Sequence, residues 1–214
     1  MFAKARKAPS APKKRAAQKE ETRRRILAVA RSHFERDGFA GANVRGIAAE
    51  AGVAAGTVLL HFADKRDLLH AALFDDLAAL IEAETAKRPT ETLHAALVAL
   101  ARRFFGYYRA RPALSKTLLA ESLLAESPWR ERFTGQVARV HAHIAHLATE
   151  AQRRGELSAD VDPSLLGVAF FSFYYFTLIG WVQGALADPV PLFERLLADH
   201  LREKAPPNAK RKRR

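Results

Sequence analysis

Apolar residues recur at intervals of three and four along almost the whole of this chain, and no stretch shows strand-like alternation bounded by turn residues. That period belongs to the α-helix, so the sequence predicts an all-α protein. A first helix is expected over residues 18–36, with Ile26, Val29, Ala30 and Phe34 on one face and Gly38 as its C-terminal stop. Asn43 is a natural N-cap for a short second helix, in which Val44, Ile47, Ala48 and Ala51 fall at i, i+3, i+4 and i+7. Gly52 ends it. A third short helix covers about 54–62, with Val58 and Phe62 turned inward beside Val53, and Asp64 caps a long fourth one.

Later breaks are equally explicit. Pro89 precedes a fifth helix over about 90–109, and Pro112 opens a sixth that runs to about 125. Ser127 is read as the cap of a seventh, with Pro128 at its first position, and Asp162 and Pro163 start an eighth in the same way. Pro189 and Pro191 separate the eighth from a ninth through Leu192, Phe193, Leu196, Leu197 and Leu201. About nine helices result, with a domain boundary expected near residue 65. No repeat occurs at a solenoid period.

The net charge of +12 is unevenly placed. Residues 1–17 carry +6 and residues 205–214 carry +5, which leaves +1 for everything between. Both ends are rich in Lys, Arg, Ala and Pro, so they are expected to be flexible basic arms around a nearly neutral body. Such arms either solubilise the chain or lie along phosphates in a salt-dependent way. The absence of cysteine excludes disulfides, cysteine-zinc sites and thiol nucleophiles. The N-terminus lacks the apolar core of a signal peptide, so a cytoplasmic location is expected.

The stretch AAEAGVAAGTVLLHF, residues 48–62, poses the functional question. Two short helices joined by a glycine-containing turn form the arrangement that presents a second helix to the major groove of DNA. Gly52 supplies the left-handed turn residue. Gly56 costs up to about 1 kcal/mol of helix propensity relative to alanine, which points to a surface where the backbone must approach a ligand. Thr57 and His61, four apart, share a polar face. Lys65 stands in the first turn of the fourth helix, where the macrodipole disfavours a cation unless a phosphate docks there.

The run Gly38-Phe39, Asn43-Val44-Arg45, Ile47-Ala48, Ala51-Gly52-Val53, Gly56-Thr57, His61-Phe62, Lys65 and Leu68 resembles the helix-turn-helix of the tetracycline-repressor (TetR) family of transcriptional regulators. The resemblance covers about residues 20–70. It implies a helix-turn-helix domain over 18–65, a helical effector-binding and dimerisation domain over 66–204, and a homodimer formed through the last two helices. By the same resemblance Arg45 reaches a base or phosphate, Thr57 a phosphate or thymine methyl, and His61 and Lys65 the DNA backbone. Ala55, Gly56 and Leu59 complete the DNA-facing set, with Asn43 and Gly52 as cap and turn. The chain departs from the family at Leu59 and Leu60, where aromatic residues are usual. Leucine touches a thymine methyl but cannot hydrogen-bond a phosphate.

Residues 163–187 contain no charge and are long enough to span a bilayer. The soluble alternative, favoured by the amphipathic helices on either side, is a helix buried partly in its own domain and partly in a dimer partner. Phe171, Tyr174 and Tyr175 there, with Phe104 and Tyr108 on the fifth helix, are read either as core or as the wall of an apolar pocket. Glu121 and Glu126 are read either as surface acids or as a balance for a cationic ligand, with Glu121 placed in the same pocket. His141, His143 and His146 do not all face one direction; His143 and His146 at i, i+3 could share a site, but a helical metal pair needs a third and usually a fourth ligand, so no metal site and no cofactor is expected. No catalytic constellation stands out, and the chain is not read as an enzyme.

The function read from the sequence is therefore a ligand-responsive, sequence-specific DNA-binding regulator, most simply a repressor of a palindromic operator released by a small apolar or aromatic effector. Two alternatives remain at this stage. One is an architectural DNA binder relying on its basic ends. The other is an all-helical enzyme with an aromatic cavity.

Overall fold

A computed structural model describes residues 11–87 and 91–206. Among these residues there are nine α-helices and no strand. They are α1 (Ala11–Gly41), α2 (Val44–Glu50), α3 (Ala55–His61), α4 (Lys65–Thr85), α5 (Leu93–Arg109), α6 (Ser115–Leu124), α7 (Trp129–Arg153), α8 (Pro163–Val182) and α9 (Pro189–Glu203). The chain divides into two compact units, Met1–Leu73 and Phe74–Arg214, so the division falls inside α4.

Several boundaries differ from the sequence expectation. The first helix begins at Ala11 rather than residue 18, so residues 11–17 of the expected basic arm are helical. Alanine, lysine and arginine there are strong helix formers, and Pro12 falls in the first turn where its missing N–H costs nothing. Residues 1–10 and 207–214 of the two expected arms, and the break at Pro89, lie outside the described residues. The fifth helix starts at Leu93, because Thr92 accepts from the Ala95 N–H at 3.3 Å and acts as its cap. The sixth starts at Ser115, three residues past Pro112. At the seventh, Pro128 and not Ser127 occupies the N-cap. Pro189 opens the ninth helix itself, with Asp188 accepting from the Val190 N–H at 3.0 Å.

In the first unit, Ile26, Ala30 and Phe34 of α1 pack with Ile47 and Ala48 of α2, Val58 of α3, and Leu68, Leu69 and Ala72 of α4, all within a few per cent of full burial. Burying a Leu, Ile, Val or Phe side chain contributes roughly 1.5–3 kcal/mol, so this small apolar set is what fixes the angles of α2 and α3. Gly38 has φ +68° and breaks α1 near its end, as a C-terminal stop does. Val53, expected inward, is only half-buried, while Ala48 and Ala51, which precede it, are buried. Arg31 donates to the Ala72 carbonyl at 2.9 Å and ties α1 to α4.

The second unit is built around α5, α7, α8 and α9. Phe105, Phe170 and Phe193 are fully buried and meet with ring centroids 5.3–5.9 Å apart in edge-to-face contacts. Such aromatic contacts join α5, α8 and α9 into one core. The Glu156 carboxylate accepts from the Leu93 N–H at 2.7 Å and closes the start of α5. Arg111 pairs with Asp76 at 3.0 Å and lies 4.3 Å from the centroid of the Tyr107 ring. The uncharged α8 buries Leu166, Phe170, Tyr174 and Leu178, while Leu165, Val168 and Phe176 stay exposed in register along one face.

Candidate functional site

The turn between α2 and α3 decides how α3 is presented. Gly52 has φ +65°, and the N–H groups of Gly52 and Val53 donate to the carbonyls of Ala49 and Ala48 at 3.1 and 3.0 Å. This paired-bond helix end needs a left-handed residue. No atom lies within 4 Å of the position a Gly52 Cβ would take, so the requirement is one of backbone conformation and not of crowding. Asn43 accepts from the Gly46 N–H at 2.7 Å and caps α2, which leaves Arg45 exposed in its first turn.

Val58 and Phe62 anchor α3 from below, at 1% and 2% exposure. The opposite face carries Gly56 and Leu60 in the open, with Leu59 56% and Leu60 82% exposed and Ala55, Thr57 and His61 half-buried. Nothing approaches within 4 Å of where a Gly56 Cβ would stand. Unlike Gly52, this glycine satisfies no internal demand of space or conformation. The outer surface of α3 is therefore apolar with one hydroxyl, and its bare backbone spot lies beside that hydroxyl.

Cations flank it. Burial lowers the His61 pKa below its ordinary 6.5, and repulsion from Lys19 and Arg23 of α1 lowers it further. The Arg23 guanidinium lies 5.3 Å from the centroid of the Phe62 ring. Lys19 and Arg23 thus belong to the same surface, although the sequence reading passed over them. Their four-residue spacing on α1 was the available signal.

Lys65 has a different environment from the one expected. Its ammonium donates to the Ala42 carbonyl at 3.0 Å and stands 4.5 Å from the centroid of the Phe39 ring. The cost of a cation at the start of α4 is thereby offset inside the protein, without a phosphate. The N-terminal donors of α4 are also partly taken: Asp64 accepts from the Asp67 N–H at 2.8 Å, and Asp67 accepts from the Ala63 N–H at 2.9 Å. This reciprocal cap places two carboxylates where a docked phosphate was expected.

In the second unit, one cavity is lined by Leu77 and Ile81 of α4, Phe104 and Tyr108 of α5, Phe133, Gln136, Val137 and Val140 of α7, and Phe171, Tyr174 and Tyr175 of α8. Five of the six residues assigned to a pocket from the sequence line it. Glu121 does not: it sits half-exposed on α6, which contributes nothing to the wall. Phe133 and Val137, which line the cavity, are half-buried. Burial pushes the Tyr174 hydroxyl well above its ordinary pKa and raises that of Tyr175, so both remain neutral donors. The cavity encloses about 50 Å³, well below the roughly 300 Å³ at which pockets for drug-sized ligands begin. A ligand of that size must push its walls apart.

His141 of α7 stands apart from His143 and His146, which are close enough for each to repel the other's charge. His141 stacks on Phe171 at 4.7 Å, while His146 lines a separate surface cleft with Lys87, Glu91, Glu150 and Arg154. Among the described residues no three His, Cys, Asp or Glu side chains group as a metal site.

Comparison with known proteins gives four likenesses. Residues 26–72 match the family model for bacterial regulatory proteins, tetR family. Over 179 residues the chain is 25% identical to the HTH-type transcriptional regulator UidR of Escherichia coli strain K12, covering 79% of this chain and 82% of that protein. Among solved structures it resembles a TetR transcriptional regulator from Chloroflexus aurantiacus J-10-FL, with 24% identity and a TM-score of 0.65 over 88% of this chain and 98% of that one. It also resembles the transcriptional regulator FadR from Bacillus subtilis in complex with stearoyl-CoA, with 22% identity and a TM-score of 0.64 over 81% and 95% of the two chains. The two structural likenesses establish a shared fold.

Proposed function

We propose that this chain, a transcriptional regulator of the tetR family, is a cytoplasmic homodimeric repressor whose operator affinity is lowered by a neutral, largely apolar effector. The observation that carries the DNA-binding half is the outward face of α3, where Gly56, Thr57, Leu59 and Leu60 stand clear of the core beside Lys19, Arg23, Arg45 and His61. Arg45 supplies bidentate readout of a guanine, and Leu59, Leu60 and Thr57 supply apolar contacts to thymine methyls. Lys19 and Arg23 contact phosphate. The same role for Lys65 is supported less, because its ammonium is engaged at Ala42.

The effector half rests on the cavity. Its walls come from α4, α5, α7 and α8, and α4 runs without interruption into the helix-turn-helix unit. A ligand that opens the cavity displaces Leu77 and Ile81 and hence α4. Two reading heads in a dimer must match half-sites about one helical turn apart, so a displaced α4 changes the match. Regulation then equals the difference in effector affinity between the two arrangements, and it is reciprocal. The exposed stripe Leu165, Val168 and Phe176 on α8 supports a dimer interface formed with α9.

The test is selection of bound DNA from a random pool, repeated with Arg45→Ala and Thr57→Ala. Arg45→Ala should weaken the selected site by about 1–3 kcal/mol and relax preference at one base pair per half-site. Lys19→Ala should instead weaken binding to all sequences and flatten the salt dependence by about one ion. Unchanged preference in both Arg45→Ala and Thr57→Ala refutes the assignment. A weakly specific DNA binder is the second reading, favoured by the two leucines on α3; equal affinity for selected and random DNA would establish it.

A further inference from the structure

Gln136 supplies the one side-chain amide in the cavity wall, whose other polar groups are the hydroxyls of Tyr108, Tyr174 and Tyr175. It is 3% exposed and sits on α7 between Phe133 and Val140, which line the same space. Its Nε2 donates to the backbone carbonyl of Phe74 in α4 at 3.2 Å. A carbonyl only accepts, so this bond fixes which end of the amide faces α4 and which is left over. The remaining end, Oε1, is buried and has no hydrogen-bond partner among the described residues. Buried acceptors are almost always paired, and an unpaired one needs an explanation.

The rest of the wall narrows that explanation. None of the eleven lining residues carries a formal charge. A charged ligand would lose its hydration there without a counter-ion, so the cavity selects against one. It offers a partly open apolar and aromatic space, and Gln136 is the lining residue whose buried side-chain acceptor has no partner among the described residues. Building on the effector reading above, we propose that the cavity takes a neutral aromatic or aliphatic molecule with one hydrogen-bond donor, a hydroxyl or an N–H, which bonds to Gln136 Oε1.

This places the recognition group on the helix contact that the ligand must disturb. The same amide holds α4 through Phe74 and the ligand through its oxygen. A donor that pulls on Oε1 therefore acts on the Gln136 to Phe74 bond directly, whereas an isosteric hydrocarbon only fills space. Sites built to hydrogen-bond a ligand discriminate strongly against the analogue lacking the group, because the site's own polar atom is then left unpaired.

The experiment uses para-cresol and para-xylene, which differ by one hydroxyl in place of one methyl, titrated into the full-length protein by ligand-observed NMR. Between wild type and Gln136→Leu, the preference for cresol over xylene should fall about tenfold, while xylene affinity is kept or improved. An unchanged preference overturns the hydrogen-bond assignment but leaves the cavity as the binding site. Binding of both probes that is unaffected by Val137→Trp, which fills the cavity, overturns the cavity reading as well. Should Gln136→Leu fail to fold, a wild-type crystal soaked in para-cresol gives the same decision. A cresol oxygen within hydrogen-bond distance of Oε1 supports the proposal, and one elsewhere in the cavity overturns it.

Discussion

The Nε2 atom of His33 lies 2.8 Å from Oε2 of Glu50, joining the middle of α1 to the last residue of α2. A carboxylate can only accept, so Nε2 carries the proton and donates. His33 is 7% exposed, and Arg36 and Asp37 crowd its other nitrogen at 3.3 and 3.7 Å. The ring therefore pins α2 from beneath. His33→Ala should destabilise the protein by about 1–2 kcal/mol in urea denaturation, through a lost hydrogen bond to a half-exposed carboxylate and a small cavity. A change below a few tenths of a kcal/mol would count against this role.

The two glycines of the helix-turn-helix should behave in opposite ways. Gly52→Ala forces a Cβ into a left-handed conformation and should destabilise by roughly 1 kcal/mol, with Gly52→Asn costing less. Gly56→Ala meets no atom within 4 Å and gains helix propensity, so stability should stay level or rise by up to about 1 kcal/mol. DNA affinity should nonetheless fall in Gly56→Ala, since the added methyl stands on the surface proposed to face DNA. Thermal melts and DNA titrations of the two variants, run side by side, separate the roles.

Close packing of α7 on α8 depends on Gly167. A Cβ there would lie 2.5 Å from Nδ1 of His141, whose ring is stacked on Phe171 and cannot swing away freely. Gly167→Ala should cost about 1–3 kcal/mol as overpacking. Adding His141→Ala should recover part of that loss, because the two residues share one contact. Strictly additive losses in the double variant would show that the strain lies elsewhere.

Stability should decline on mild acidification. His61, His141, His143 and His200 all have pKa values lowered from 6.5, with burial the leading cause. The unfolded chain therefore binds protons at a higher pH than the folded one. Their contribution is complete above about pH 6.5 and is lost as pH falls through the lowered folded values. Carboxylates held low by hydrogen bonds, such as Asp162 by Ser164 and Glu131 by Ser127, act only below their own ordinary values of 3.8 and 4.5. The melting temperature should be flat from pH 8 to 6.5 and drop by pH 5.5; a level profile to pH 5.5 would contradict it.

Some features were legible because their causes are local. The stops at Gly38 and Gly52 follow from backbone conformations only glycine adopts cheaply, and the caps Asn43 and Asp162 follow from orphan N–H groups at helix starts. The inward faces of α3 and α5 follow from the helical period, as the burial of Val58, Phe62, Leu97 and Phe104 bears out. Phe104, Tyr108, Phe171, Tyr174 and Tyr175 were picked for their ring chemistry, although their meeting in one cavity is a matter of packing. Gln136 gave a sequence signal that was missed: it lies three residues after Phe133 and four before Val140, a polar residue on an apolar stripe.

By itself the sequence determined the all-helical class, the helix-turn-helix and the inward faces, because turn chemistry and periodicity act over a few residues. The tertiary structure alone decided which partner each long or polar side chain found. Lys65 reaches back 23 positions to Ala42, Gln136 reaches 62 to Phe74, and His141 closes on Gly167. Those pairings depend on how helices cross, and the crossing is set by the summed burial of many apolar residues that no short stretch of sequence contains.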